Sequence, residues 1–319
     1  MLMSKKNQDE FDKVFKSIAA ISPLILNSSV RLKGKTPKNS DFDGSAAMLF
    51  GSASDSSAVL VTAKHNLEVY MEAGPRPDID AAAASFQKNV KIYYEAAMAF
   101  NTDPTQVADI TSVDVVKADS TGNWDYDVAI LRSSNATLFG LCSKHPIYPI
   151  GVKGKEQPYL NVVKNPKLYL AQGSKDNPYY FIQTGFGNVS DKVQDKTLPI
   201  DKSGSNKKGG LQYRTTAPLA EATTTVYNQE GDSTTYDQYD RVIQLSADAN
   251  SSTAKGDSGG PLFLAYYNKS AKGWGLYLIG VTTGGDMATT KTPCPPKGEY
   301  VANNISTSLE YCYTNGLFY

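Results

Sequence analysis

The stretch Gly256-Asp257-Ser258-Gly259-Gly260-Pro261, followed at once by the apolar Leu262-Phe263-Leu264, decides how this chain is read. A serine hydroxyl is a poor nucleophile unless a base takes its proton and preorganised donors meet the oxyanion that forms. Glycines on both sides of Ser258 permit a turn that exposes the hydroxyl and aims the amides of Gly256 and Ser258 at one spot. The three apolar residues that follow place this turn at the mouth of a buried strand.

Such a serine needs a base, and the chain has two histidines. His65 closes Val59-Leu60-Val61-Thr62-Ala63-Lys64-His65, an apolar strand running into a small-residue turn, whereas His145 sits in the polar connector Cys142-Ser143-Lys144-His145-Pro146. The setting selects His65. A carboxylate must then fix the tautomer of the base and stabilise its cation. Asp127 abuts the apolar run Val128-Ala129-Ile130-Leu131, which would desolvate its contact with the histidine; Asp125 shares its side-chain parity and is the competitor.

Outward from these residues, short runs rich in Val, Ile, Thr, Tyr and Phe recur between turn clusters. They span Ser45 to Phe50, Ala58 to Thr62, Val90 to Tyr94, Asp127 to Leu131, Tyr179 to Gln183, Leu211 to Thr215, Arg241 to Leu245, Pro261 to Tyr267 and Gly275 to Thr283. That rhythm predicts a mostly-β protein. Phe11, Val14, Phe15, Ile18 and Ile21 fall at helical spacing and predict an N-terminal helix stopped by Ser22-Pro23. Asp78 to Gln87, with Asp80 as cap of the alanines that follow, predicts a small inserted helix. Lys192 to Gly210 and Asn228 to Tyr239 read as polar loops, and Gly151 to Gln157 as a boundary between domains.

Composition narrows the chemistry. With 319 residues there is room for two domains, and 32 basic against 32 acidic residues leave no net charge to draw nucleic acid or an anionic membrane. Three cysteines, Cys142, Cys294 and Cys312, cannot make a disulfide framework and lack the paired spacing of a zinc site, so no metal or other cofactor is expected. Charged residues from Lys5 to Lys16 occupy the place of the apolar run a secretory signal needs, and the expectation is a cytoplasmic chain. Six sequons, at Asn27, Asn135, Asn188, Asn250, Asn268 and Asn304, then reflect an Asn- and Ser-rich composition.

Taken together, these motifs resemble the chymotrypsin/trypsin-type serine proteases, in which histidine, aspartate and serine occur in this order. Thr62-Ala63-Lys64-His65 resembles the family's Thr-Ala-Ala-His, Asp127-Val128-Ala129-Ile130-Leu131 its Asp-Ile-Ala-Leu-Leu, and Thr184-Gly185-Phe186-Gly187 its Thr-Gly-Trp-Gly. Gly280 to Gly285 is similar to the strand that holds the substrate backbone, and Gly298-Glu299-Tyr300 to a wall of the specificity pocket. The resemblance implies two antiparallel six-stranded β-barrels with an N-terminal helix and a small inserted helix. Residues 1–24 would form a helical segment, 25–155 the barrel bearing His65 and Asp127, and 156–319 the barrel bearing Ser258.

It also implies a serine endopeptidase acting on protein or peptide, with Gly256 and Ser258 as the oxyanion hole. Ser252 or Thr253 would floor the pocket, Gly285 and Gly298 would wall it, and Thr283 and Tyr300 would line the substrate path. A neutral floor and glycine walls suit cleavage after large apolar or aromatic residues. Two rivals stand beside this: a catalytically silent peptide-binding relative, and a protease dedicated to one partner protein in a bacterial defence or effector pathway. The chain departs from the family where a cysteine usually follows the histidine, here Asn66, and where another bridge would begin, here Ala254. Asp257, in many members paired with a new N-terminal amine, needs a partner: a terminus created at Ile25, or preferably an internal Lys or Arg.

Overall fold

The computed structural model describes residues 2–3, 5–71, 78–100, 102–115, 127–149, 178–189, 207–208, 210–216, 223–227, 233–237, 242–247, 251–253, 256–268, 272–285 and 298–304. The chain opens with β1 (Leu2–Met3), α1 (Lys5–Ser17) and α2 (Ser22–Ser28). Ser22-Pro23 thus begins a second helix instead of ending the first, because a proline in the first turn lacks only an N–H that would have no partner there.

The first sheet is built from β2 (Ser29–Lys35), β3 (Asp41–Ser52), β4 (Ser57–Thr62), β5 (Val90–Tyr94), β6 (Gln106–Asp109), β7 (Ser112–Val115) and β8 (Ala129–Ser133). Between β4 and β5 lie α3 (His65–Glu68) and α4 (Ile79–Asn89); α5 (Ala136–Lys144) follows β8. The strand order is β6-β5-β2-β3-β4-β8-β7. The edge strands β6 and β7 are joined by only Ile110 and Thr111, so the sheet curls until its edges adjoin. The inserted helix forms as expected, but its cap is Asp78, whose carboxylate accepts from the amides of Asp80 and Ala81. The helix α5 was not foreseen. Asn135 caps it by accepting from the Leu138 amide, and it absorbs Cys142 and ends against His145.

After β9 (Tyr148–Pro149) come β10 (Tyr179–Gly185), β11 (Asn188–Val189), β12 (Lys207–Lys208), β13 (Gln212–Thr216), β14 (Thr223–Tyr227), β15 (Ser233–Asp237), β16 (Val242–Ala247), β17 (Ser251–Ser252), β18 (Pro261–Asn268), β19 (Gly273–Gly285) and β20 (Gly298–Asn304). The second sheet runs β13-β10-β18-β19-β20-β16, with β9 joining β19 in parallel. Among the described residues each large sheet therefore has seven strands where six were expected. The reading of Asn228 to Tyr239 as a loop is also corrected, since Ser233–Asp237 pairs with Thr223–Tyr227 as a hairpin. Its Thr and Tyr are strand formers even with acidic neighbours. Residues 150–177, which include the expected boundary, and most of 190–210 lie outside the described residues.

Alternation along the strands explains how the halves join. Ala46, Met48, Ala58, Leu60, Ala129 and Leu131 point into the first sheet's own core. Their neighbours Ala47, Leu49, Val59, Val61 and Ile130 point the other way, into a core shared with Ile182, Phe263, Leu278 and Val281 of the second sheet. Successive side chains leave a strand on opposite faces, so strands covered on both sides read as continuous apolar runs. Phe11, Ile18, Ile21 and Ile25 of the N-terminal segment enter the shared core as well. Phe11 stacks on Tyr213 at 3.4 Å between ring centroids and meets Phe100 edge-on at 5.4 Å. No helix among the described residues is long and apolar enough to cross a membrane.

Candidate active site

β4 pairs with β8 so that Thr62 lies opposite Ala129. His65, three residues beyond Thr62, and Asp127, two before Ala129, are consequently delivered to the same end of the first sheet. The Asp127 carboxylate grips His65 twice: Oδ1 accepts from the His65 backbone N–H at 2.7 Å, and Oδ2 lies 2.7 Å from Nδ1. A carboxylate at Nδ1 leaves Nε2 as the nitrogen free to take a proton. The His65 side chain keeps 30% of its surface exposed and Asp127 14%. Burial pushes the His65 pKa down, but the charge and hydrogen bond of Asp127 outweigh it, Glu68 adds to them and Lys64 opposes, and the net direction is upward from 6.5. Asp125 lies outside the described residues.

Ser258 comes from the loop between β17 and β18. Gly256 and Gly259 have φ of +99° and +81°, a region that side chains rarely tolerate. The Ser258 carbonyl accepts from the Ser45 amide of β3 at 2.9 Å and from the Asn66 side-chain amide at 3.1 Å. Gly259 donates to the Thr282 carbonyl at 2.7 Å, and Thr282 donates back to Gly260 at 2.8 Å. A Cβ at Gly259 would meet the Ala63 nitrogen at 2.9 Å, so the Ser258 loop rests directly on the turn that leads to His65. Ser45 ties the loop down again, its hydroxyl donating to the Gly256 carbonyl at 2.8 Å and accepting from the Phe186 amide at 2.9 Å.

Asp257 is fully buried. Its Oδ1 accepts from the Gly187 N–H at 2.8 Å, and a Cβ on Gly187 would come within 2.6 Å of its Cγ. The glycines of Thr184-Gly185-Phe186-Gly187 are thereby accounted for: they clear the space that Asp257 fills. At this oxygen a backbone amide donates to Asp257. Ile25, the alternative, is fully buried inside α2.

Of the residues expected to form the pocket, Thr253 is buried and Thr283 half-buried. Ser252 lies in β17, opposite Leu2 of β1, a pairing that sequence reasoning missed. β19 and β20 place Gly285 opposite Tyr300, while Gly298 pairs with Ala247 of β16. Asn66, read only as a departure beside His65, and Ser45, read only as the first residue of an apolar run, were also missed as parts of this site. Two sequon asparagines have structural duties instead, Asn27 accepting from the Ala97 amide at 2.8 Å and Asn135 capping α5.

Residues 184–300 match the family model described as Trypsin. The matched stretch holds Ser258 and leaves His65 and Asp127 outside it. No curated protein matches the chain.

Proposed function

The match over residues 184–300 supports a chymotrypsin/trypsin-like serine protease family for this chain, and from that premise we propose that it is a serine endopeptidase working through His65, Asp127 and Ser258. Ser258 attacks the scissile carbonyl while His65 Nε2 takes its proton and then passes it to the leaving amine. Asp127 holds the imidazole in the productive tautomer and stabilises its cation. The amides of Gly256 and Ser258 receive the oxyanion, and water releases the acyl group through the same base. The observation that carries the proposal is the double grip of Asp127 on the backbone and ring of His65, both at 2.7 Å, beside a loop whose Ser258 carbonyl is bonded by the next residue, Asn66.

For specificity, Ser252 or Thr253 forms a neutral floor, Gly285 and Gly298 leave room for a large side chain, and Thr283 and Tyr300 flank the substrate, so cleavage follows large apolar or aromatic residues. A single partner protein in a defence or effector pathway is the proposed natural target. Incubation with a fluorophosphonate probe tests the chemistry: wild type is labelled at Ser258, and Ser258→Ala is not. A folded wild-type protein that neither reacts nor cleaves casein or a peptide library would instead be the silent peptide-binding relative. A library profile dominated by Lys or Arg at the cleaved position would refute the pocket assignment.

A further inference from the structure

Asn66 directly follows the proposed base, is 4% exposed, and spends both donors of its side-chain amide. One hydrogen reaches the Thr62 hydroxyl at 3.0 Å and the other the Ser258 carbonyl at 3.1 Å. A carbonyl can only accept, so Nδ2 and not Oδ1 must face Ser258. The Thr62 hydroxyl in turn donates to the Ser45 carbonyl at 2.7 Å, and the Ser45 amide donates to the Ser258 carbonyl at 2.9 Å. These bonds close a ring through β3, β4, α3 and the nucleophile loop. It is anchored on the His65 side as well, because the His65 amide is held by Asp127. Across from it stands Gly44, where a Cβ would lie 3.5 Å from Asn66 Cγ and 3.3 Å from its Nδ2.

We propose that Asn66 is a positioning residue that sets the spacing of Ser258 against His65, a hydrogen-bonded staple between the residue after the proposed base and the Ser258 loop. The inference rests on the triad proposed above. Mispositioning of a nucleophile by a fraction of an ångström reduces the rate of bond formation while binding of the reagent is kept. Asp in place of Asn66 has nearly the same shape but no donor, and it sets an anionic oxygen against the Ser258 carbonyl.

The test is the fluorophosphonate reaction resolved into its maximal rate, kinact, and its binding term, KI, for wild type, Asn66→Asp, Asn66→Ala and the double variant Gly44→Cys/Asn66→Cys. Cys294→Ser and Cys312→Ser are included throughout; Cys142 is buried with its thiol pushed up to about 12 and stays unreactive. Expected is a fall in kinact of about tenfold or more in Asn66→Asp and Asn66→Ala, with KI within about twofold. The double variant recovers wild-type kinact when oxidised and loses it again when the same sample is reduced, with an unchanged circular dichroism spectrum. Equal kinact in folded Asn66→Asp and wild type, or in the oxidised and reduced double variant, overturns the role of Asn66. Absence of labelling in wild type overturns the triad itself, so the two failures are told apart.

Discussion

Two aspartates, Asp127 and Asp257, face different groups. Asp127, two residues before the first sheet's β8, keeps 14% of its side chain exposed; its Oδ1 accepts from the His65 backbone N–H and its Oδ2 lies against the ring Nδ1, a group that gains and loses a proton. Asp257, beside the nucleophile, is fully buried and its Oδ1 is held by the Gly187 N–H, a group that never titrates. A carboxylate facing a titrating ring tunes proton transfer, whereas one facing a backbone amide shapes a loop.

The contrast breaks most visibly at Asp127. Asp127→Asn keeps the size of the side chain but no longer selects the productive tautomer, and a loss of about 10³–10⁴-fold in peptide hydrolysis is expected with little change in melting temperature. Hydrolysis within tenfold of wild type would show that Asp127 does not govern His65. Gly187→Ala is the matching change at Asp257, since its methyl would sit 2.6 Å from Cγ. It should destabilise by about 1–3 kcal/mol and slow hydrolysis by about 10–100-fold, seen together in thermal melts and kcat. A fall in stability without a fall in kcat would separate Asp257 from the shape of the nucleophile loop.

The smallest effect lies in the pH profile. The upward shift of His65 means that its contact with Asp127 contributes stability below 6.5 that is lost as pH rises through the shifted value. Activity runs the opposite way, because the base must be neutral. The acid limb of kcat/KM is therefore expected above 6.5 in wild type and lower in Asp127→Asn, and a limb that Asp127→Asn leaves in place would assign it to another group. Gly187→Ala, acting on a non-titrating contact, should leave the limb where it is.

All nine apolar runs read from the sequence appear as strands, because alternation and turn residues are local signals. Some boundaries moved by one or two residues: the run begun at Asp127 becomes β8 from Ala129, leaving Asp127 in the turn where it can face His65. The β14–β15 hairpin escaped because its Thr- and Tyr-rich strands adjoin acidic residues in the sequence. The helix α5 escaped because Ala136 to Lys144 carries a weak apolar face whose burial comes from packing on β3 and β4.

By itself the sequence determined the local chemistry: a glycine-flanked serine, a histidine at the end of an apolar strand, an aspartate at the start of another, and glycines where the backbone has no room for a side chain. Turn geometry and strand period are encoded within a few residues, so these features could be read directly. Only the tertiary structure decided which distant groups meet. Asn66 reaches Ser258 across 192 positions, Asp257 finds Gly187 across 70, and β1 lies against β17. Those contacts depend on how the sheets curl and pack on a common core, and hydrophobic burial, which drives that packing, is non-directional and names no partner.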